Sequence, residues 1–226
     1  MAIPYAKSLA ITTVGLFPVK HPKLTMTDTK NSPAHTTRMQ RKKQIIDEKI
    51  AEASDERGLL LVNTGIGKGK SSAAFGVLAR ALGHGFRAGV VQYVKSRTDT
   101  GEEGFFRRQP NVAWHVMGEG FTWETQDKEK DAQAAQAAWR QSRLFLADPT
   151  IHLVILDELT YAFKYGWLDL DEVLADLAAR PPMQHVIITG RAAPEKLVAA
   201  ADTVTDMNLV KHAFKAGVKA MPGVEF

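Results

Sequence analysis

Apolar residues occur along this chain in short unbroken runs, each followed by a longer stretch where apolar and polar residues mix. The runs are 58–63 (GLLLVN), 88–94, 112–117, 151–156 (IHLVIL) and 185–189 (HVIIT), and 203–207 (TVTDM), though interrupted by polar residues, is read as a last strand. A strand with no polar face is buried on both sides, as in a parallel sheet. The stretches between predict helices over 70–82, 127–147, 169–179 and 194–201, the second rich in Ala and Gln. Strand–helix alternation at this spacing predicts an α/β fold, a mostly parallel sheet with helices on both faces. No internal repeat is present.

The first quarter of the chain reads differently. Residues 38–56 predict a helix whose apolar positions Ile46, Ile50 and Ala53 fall at i, i+4 and i+7, with charge elsewhere. So narrow a stripe must dock on something: its own domain, or else a ligand or partner that the helix covers as a lid. Residues 26–37 (MTDTKNSPAHTT) are polar and aperiodic and predict disorder. Residues 8–19 are mildly apolar, but Thr12, Thr13 and Pro18 interrupt them and no small-x-small cleavage site follows, so a signal peptide is not expected. The expected organisation is a disordered extension over 1–37, a helix over 38–57 and one α/β domain over 58–226.

Charge sharpens this division. Residues 1–57 hold 10 Lys and Arg against 6 Asp and Glu, whereas residues 58–226 hold 19 of each. The basic excess belongs to the arm, and a neutral body lacks the basic face of a nucleic-acid binder. There is no cysteine, which excludes disulfides, thiolate metal sites and thiol nucleophiles. No run approaches the roughly 18 apolar residues of a membrane helix. A cytoplasmic protein without membrane or nucleic-acid partners is expected.

Between the first strand and the next helix stands Thr64-Gly65-Ile66-Gly67-Lys68-Gly69-Lys70-Ser71-Ser72. Glycines let backbone N–H groups turn inward around an anion, and the helix N-terminus adds partial positive charge. Lys70 can reach phosphate oxygens, and the Ser71 hydroxyl can ligate Mg²⁺. Thr64 occupies the position where the G-x-x-x-x-G-K-[ST] pattern has its first glycine. A P-loop enzyme also needs a carboxylate near the metal, at the end of a neighbouring strand. Asp157 and Glu158 follow the 151–156 run and meet that need, or else they cap the next helix. Arg191, in Thr189-Gly190-Arg191, is placed to emerge at the same sheet edge. Phe121 and Trp123, in GEGFTWET, would project to one side of an extended segment and cover a flat ligand, or else sit in the core.

Other chemistry is missing. No Ser/His/Asp order with a nucleophile elbow, no H-E-x-x-H and no kinase H-R-D or D-F-G set is present. The seven histidines are scattered without metal-ligand spacing, and His152 and His185 fall within apolar strands as structural residues. Phosphate binding without a strong protein base is the pattern that remains.

The blocks GIGKGKSSAAFG, GFTWETQ, LDELTY, VIITGR and VKHAFKAGVKA, in this order and spacing over roughly residues 38–226, resemble the CobA/BtuR-type ATP:co(I)rrinoid adenosyltransferases. The resemblance implies a P-loop fold and an enzyme in which the Co(I) of a corrinoid, cobalamin or cobinamide, attacks the 5′ carbon of ATP and expels tripolyphosphate. It implies phosphate contacts from Lys68, Lys70 and Ser71 and a Mg²⁺ held by Ser71 with Glu158. Phe121 and Trp123 would displace the lower axial ligand of cobalt, which eases reduction by a flavodoxin-type donor. A corrinoid-covering role for the N-terminal helix and a homodimer are also implied. Ser71-Ser72 departs from the family's Thr-Thr but keeps a hydroxyl. Residues 96–110 (SRTDTGEEGFFRRQP) and 1–25 match nothing in the family pattern. A P-loop ATPase or small-molecule kinase, or a non-catalytic corrinoid carrier, would share the phosphate loop.

Overall fold

The computed structural model describes residues 33–94, 100–116 and 128–225. The chain divides into two compact units, residues 1–54 and 55–226.

In the first unit the described residues form helix α1 (Pro33–Glu52). It starts five residues earlier and ends four earlier than the pattern predicts. Part of the segment expected to be disordered is therefore helical, and Ala53 falls outside the helix that was to bury it. Ile46 and Ile50 are exposed.

The second unit is built on β1 (Leu60–Thr64), β2 (Ala88–Gln92), β3 (Val112–Val116), β4 (Leu153–Asp157), β5 (His185–Thr189) and β6 (Thr203–Asp206). Its helices are α2 (Lys70–Gly83), α3 (Gly101–Phe106), α4 (Lys128–Ala147), α5 (Thr160–Lys164), α6 (Leu170–Ala178) and α7 (Glu195–Ala200). The strands form one sheet in the order β3-β2-β4-β5-β1-β6. Every pairing is parallel.

Strand side chains alternate between two cores, as the period of two requires. Leu60, Val62, Val91, Val154, Leu156, Val186 and Ile188 share one core with Trp139 and Phe145 of α4, Val173 and Leu177 of α6 and Leu197 of α7. Val90, Leu153, Ile155 and Ile187 share the other with Ala74, Phe75 and Leu78 of α2 and Phe106 of α3. Burial on both faces explains why the central strands read as continuous apolar runs. Helix α6 is capped by Asp169, whose carboxylate accepts from the amides of Asp171 and Glu172.

Two short helices escape the sequence pattern. Helix α3 lies in the segment 96–110 that no motif covered, and α5 begins two residues after Glu158. Neither completes two turns, so a 3.6-residue period has little room to register in them. His152 precedes β4 rather than lying within it, and its Nδ1 accepts the Arg87 amide at 3.3 Å. His185 Nδ1 accepts the Leu59 amide at 3.1 Å. Both histidines are structural, as expected.

Candidate nucleotide site

All strands of a parallel sheet end at the same edge, so the loops that follow them face one crevice. Here that crevice is a cavity of about 410 Å³. Its wall includes Lys68, Lys70, Ser71 and Ser72 after β1, Asp157 and Glu158 at β4, and Arg191 after β5. Residues distant in sequence thus meet as predicted.

The phosphate loop is held open by the chain that follows β6. Gly65 has φ +96°, and a Cβ there would lie 2.2 Å from Asp206 Oδ1 and 2.5 Å from the Met207 carbonyl. Only glycine meets both demands. The Gly67 amide donates to the Met207 carbonyl at 2.6 Å. Gly69, also in the left-handed region, precedes α2. Thr64 and Gly65 do not line the cavity. The Thr64 hydroxyl instead accepts the Ala193 amide at 3.1 Å, tying the loop after β1 to the loop after β5. That is a structural use for the residue that stands where the motif has glycine.

Lys70 is buried, and its Nζ donates to the Gly67 carbonyl at 2.7 Å. Burial lowers its pKa, opposed in part by the Glu158 carboxylate. Lys68 pairs with Glu225, which with Val224 also lines the cavity. The sequence holds no local signal of this contact, because its partners are 157 residues apart.

The acidic pair comes from β4, which does not adjoin β1. Strand β5 lies between them, so the carboxylates stand two strands from the phosphate loop rather than on its immediate neighbour. Asp157 Oδ1 accepts from the Thr189 hydroxyl at 2.7 Å and Oδ2 from Gln92 Nε2 at 3.1 Å. Gln92 Oε1 accepts from Trp114 Nε1 at 3.2 Å. The Glu158 amide donates to Thr189 Oγ1 at 2.9 Å, with Glu158 itself at φ +59°. Such a backbone costs on the order of 1–3 kcal/mol for a non-glycine residue. It turns the side chain of Glu158 into the cavity, where Oε2 is buried without a hydrogen-bond partner. Burial and then Asp157 raise the pKa of Glu158 to about 7, against Lys70 and Arg191, which lower it. The capping alternative fails: α5 begins after Leu159 with no side-chain cap.

Gly190 and Arg191 complete the edge. Gly190 has φ +143°, and a Cβ there would lie 2.0 Å from Thr160 Oγ1. The Thr160 hydroxyl donates to the Arg191 carbonyl at 2.8 Å, fixing the loop that presents Arg191. Phe121 and Trp123 lie outside the described residues. Thr100, Glu102 and Tyr161 line the cavity although no motif singled them out for chemistry. Among the described residues no helix is long and apolar enough to cross a membrane.

A glycine loop between β1 and α2, its lysine and serine facing a buried carboxylate across an all-parallel sheet, defines a P-loop nucleotide-binding protein. The family described as ATP:corrinoid adenosyltransferase BtuR/CobO/CobP matches residues 56–226. A corrinoid adenosyltransferase of Pseudomonas aeruginosa is 63% identical over 193 residues, covering 85% of this chain and 95% of that protein. The corrinoid adenosyltransferase CobA of Salmonella typhimurium is 48% identical over 189 residues, covering 84% and 96%. A corrinoid adenosyltransferase of Escherichia coli is 46% identical over 189 residues, with the same two coverages, 84% and 96%. The chain belongs to the ATP:corrinoid adenosyltransferase family, whose substrates are ATP and a corrinoid.

Proposed function

We propose that this chain transfers the 5′-adenosyl group of ATP to the Co(I) of a corrinoid, cobalamin or cobinamide, with tripolyphosphate as leaving group. The observation that carries the reading is the cavity in which Lys68, Lys70, Ser71, Ser72 and Arg191 face Glu158, within the segment that matches the family. Cobalt is the nucleophile, so the protein's work is to align ATP and to stabilise the charge that grows on the leaving phosphates.

The phosphates fit the glycine loop. Amides at the start of α2 and the Ser71 and Ser72 hydroxyls supply donors, and Lys70 turns from the Gly67 carbonyl to a phosphate oxygen. Lys68 and Arg191 line the same cavity and add positive charge. The residues fit a Mg²⁺ as well. Glu158 keeps a buried oxygen without a partner, and the Ser71 hydroxyl lines the same cavity. Ser71 and Glu158 would hold the ion, with Asp157 behind them orienting Glu158 through Thr189. A bound Mg²⁺ would share and neutralise the charge of the phosphate oxygens. Burial makes Glu158 costly to ionise until a cation joins it.

Phe121 and Trp123 act on the corrinoid side, displacing the lower axial ligand so that a flavodoxin-type donor can reduce the cobalt. Helix α1 serves as the corrinoid lid, the segment before it as an extension, and the α/β unit as the catalytic domain. The working form is a cytoplasmic homodimer.

The test is an anaerobic assay with ATP, Mg²⁺ and chemically generated cob(I)alamin, following the Co(I) absorbance and identifying the phosphate product. Adenosylcobalamin with tripolyphosphate is expected. ADP release without corrinoid turnover would overturn the reading in favour of an ATPase or kinase, and binding without turnover in favour of a carrier. Lys70→Ala should nearly abolish turnover. Phe121→Ala and Trp123→Ala should impair Co(II) reduction far more than ATP binding.

A further inference from the structure

The α/β unit has a second cavity, of about 240 Å³, at the other edge of its sheet. Its walls are Leu61 of β1, Ile187 of β5, Leu153 of β4, and Val77 and Ala81 of α2. Strands β4, β5 and β1 are neighbours, so these side chains meet near where the strands begin. The nucleotide cavity lies where the strands end. Helix α2 runs between the two: Lys70 and Ser71 open it, and Ala81 lies in its last turn. Its fourteen residues span about 20 Å, so no small ligand of one cavity reaches the other.

This second cavity is apolar inside and basic at its rim. Arg80, His84 and His185 line it, and among the described residues no carboxylate does. Arg80 is exposed, and no acidic side chain is paired with it among the described residues. His185 Nδ1 accepts the Leu59 amide, and burial, then the charges of Arg180 and His152, lowers the pKa of its ring. The ring is thus neutral at pH 7 with its hydrogen on Nε2, a donor without an acceptor among the described residues. Leu59 and Phe86 also line the cavity and are 37% and 38% exposed, which leaves it open to solvent. Phe86 is held in place by His152, on which it stacks with ring centroids 4.7 Å apart and planes within 7°. Apolar walls with a few placed polar groups are the general form of a small-molecule site.

An apolar cavity of about 150 Å³ already accepts benzene, so this one takes a single ring with a short chain. Cationic and N–H groups on the rim, with no carboxylate among them, select an anion at one end of that ligand. A guanidinium beside imidazole N–H groups matches a carboxylate. We propose that this cavity binds a small amphipathic carboxylate, its ring or branched chain among Leu61, Val77 and Ile187 and its carboxylate on Arg80 and His185. The site is separate from the nucleotide cavity, and it stands whether or not the chain transfers an adenosyl group.

Methyl NMR of the full chain tests it, with 3-phenylpropionate as the probe and 3-phenylpropionamide as its uncharged counterpart. Both are titrated with and without saturating tripolyphosphate in the nucleotide cavity. Phenylpropionate should shift the methyls of Leu61, Val77 and Ile187 saturably under both conditions. The amide should bind several-fold to about tenfold more weakly, the scale of a hydrogen bond to a charged group. Arg80→Gln should bring the acid down to the affinity of the amide and leave the amide unchanged. Val77→Phe, which fills the cavity, should abolish both. If that variant fails to fold, Arg80→Gln still decides, because it changes an exposed side chain. Absence of saturable shifts, or equal affinity for acid and amide, would overturn the site. Loss of the shifts on adding tripolyphosphate would also overturn it, by placing the probe on the phosphate loop. Shifts of the same methyls on diluting the ligand-free protein would give the cavity to a second copy of the chain instead.

Discussion

The hydroxyl of Thr189 donates to Asp157 Oδ1 at 2.7 Å and, through the same oxygen, accepts the amide of Glu158 at 2.9 Å. One side chain of β5 therefore sets both residues of the acidic pair on β4. Removing the hydroxyl leaves a buried carboxylate oxygen and a strained amide unmet. Thr189→Val should cost about 1–3 kcal/mol of stability and raise the Mg²⁺ and ATP concentrations needed for half-maximal activity. Thr189→Ser should keep both near wild type. Urea unfolding alongside a Mg²⁺ titration of activity checks this, and a normal Mg²⁺ response in Thr189→Val would refute the positioning role.

Glu158 should make the ligand-free protein less stable as pH rises. Its pKa stands at about 7 against an ordinary 4.5, so the folded chain holds this proton more tightly than the unfolded chain does. The stability it contributes is present below pH 4.5 and is lost as pH rises through 7. The loss is at most about 3 kcal/mol. Glu158→Gln should remove that slope, unfolding at higher denaturant than wild type at pH 8 but at similar denaturant at pH 4. Parallel slopes for the two proteins between pH 4.5 and 7 would disprove the assignment.

Glu225 occupies Lys68 when no phosphate does. An anion entering the loop must displace it, so Glu225→Gln should bind tripolyphosphate a few fold tighter, the scale of a partly exposed ion pair. The gain should vanish in a Lys68→Ala background, where there is no pair to break. Tripolyphosphate competition against a fluorescent nucleotide measures both. An equal gain with and without Lys68 would mean that Glu225 acts only through the general field of the cavity.

Gln184 is a structural clamp away from the site. It is 1% exposed, and its Nε2 donates to the carbonyls of Phe145, Asp148 and Ile151 at 3.0, 3.2 and 2.9 Å. Those carbonyls belong to the end of α4 and the turn into β4. Gln184→Ala leaves them without a donor and opens a cavity, which should cost about 2–4 kcal/mol. Chemical denaturation reads this directly. Unchanged affinity for ATP in the folded fraction is expected, because the clamp lies at the opposite end of β4 from Glu158.

How much of this was legible in the sequence follows from the range of each interaction. Strands β2, β4 and β5 and the longer helices are written locally: burial on both faces gives largely apolar runs, and a helix of fourteen residues repeats its period often enough to be seen. The phosphate loop is local too, since one turn and one helix start supply all its groups. So is the acidic pair, which needs only a strand end. The tertiary structure alone decided the rest. Strand order placed β5 between the loop and the carboxylates, and no local pattern encodes which strands are neighbours. Thr64 reads as a defect in a motif until Ala193, 129 residues away, donates to it. Thr189 reads as a strand terminus until its hydroxyl bridges Asp157 and Glu158. Glu102 sits in a six-residue helix too short to show a period, with Thr100 just before it, and the sheet edge alone brings them to the cavity. What one stretch of backbone satisfies by itself is visible in its residues. What needs a partner across the sheet becomes visible only once packing has chosen that partner.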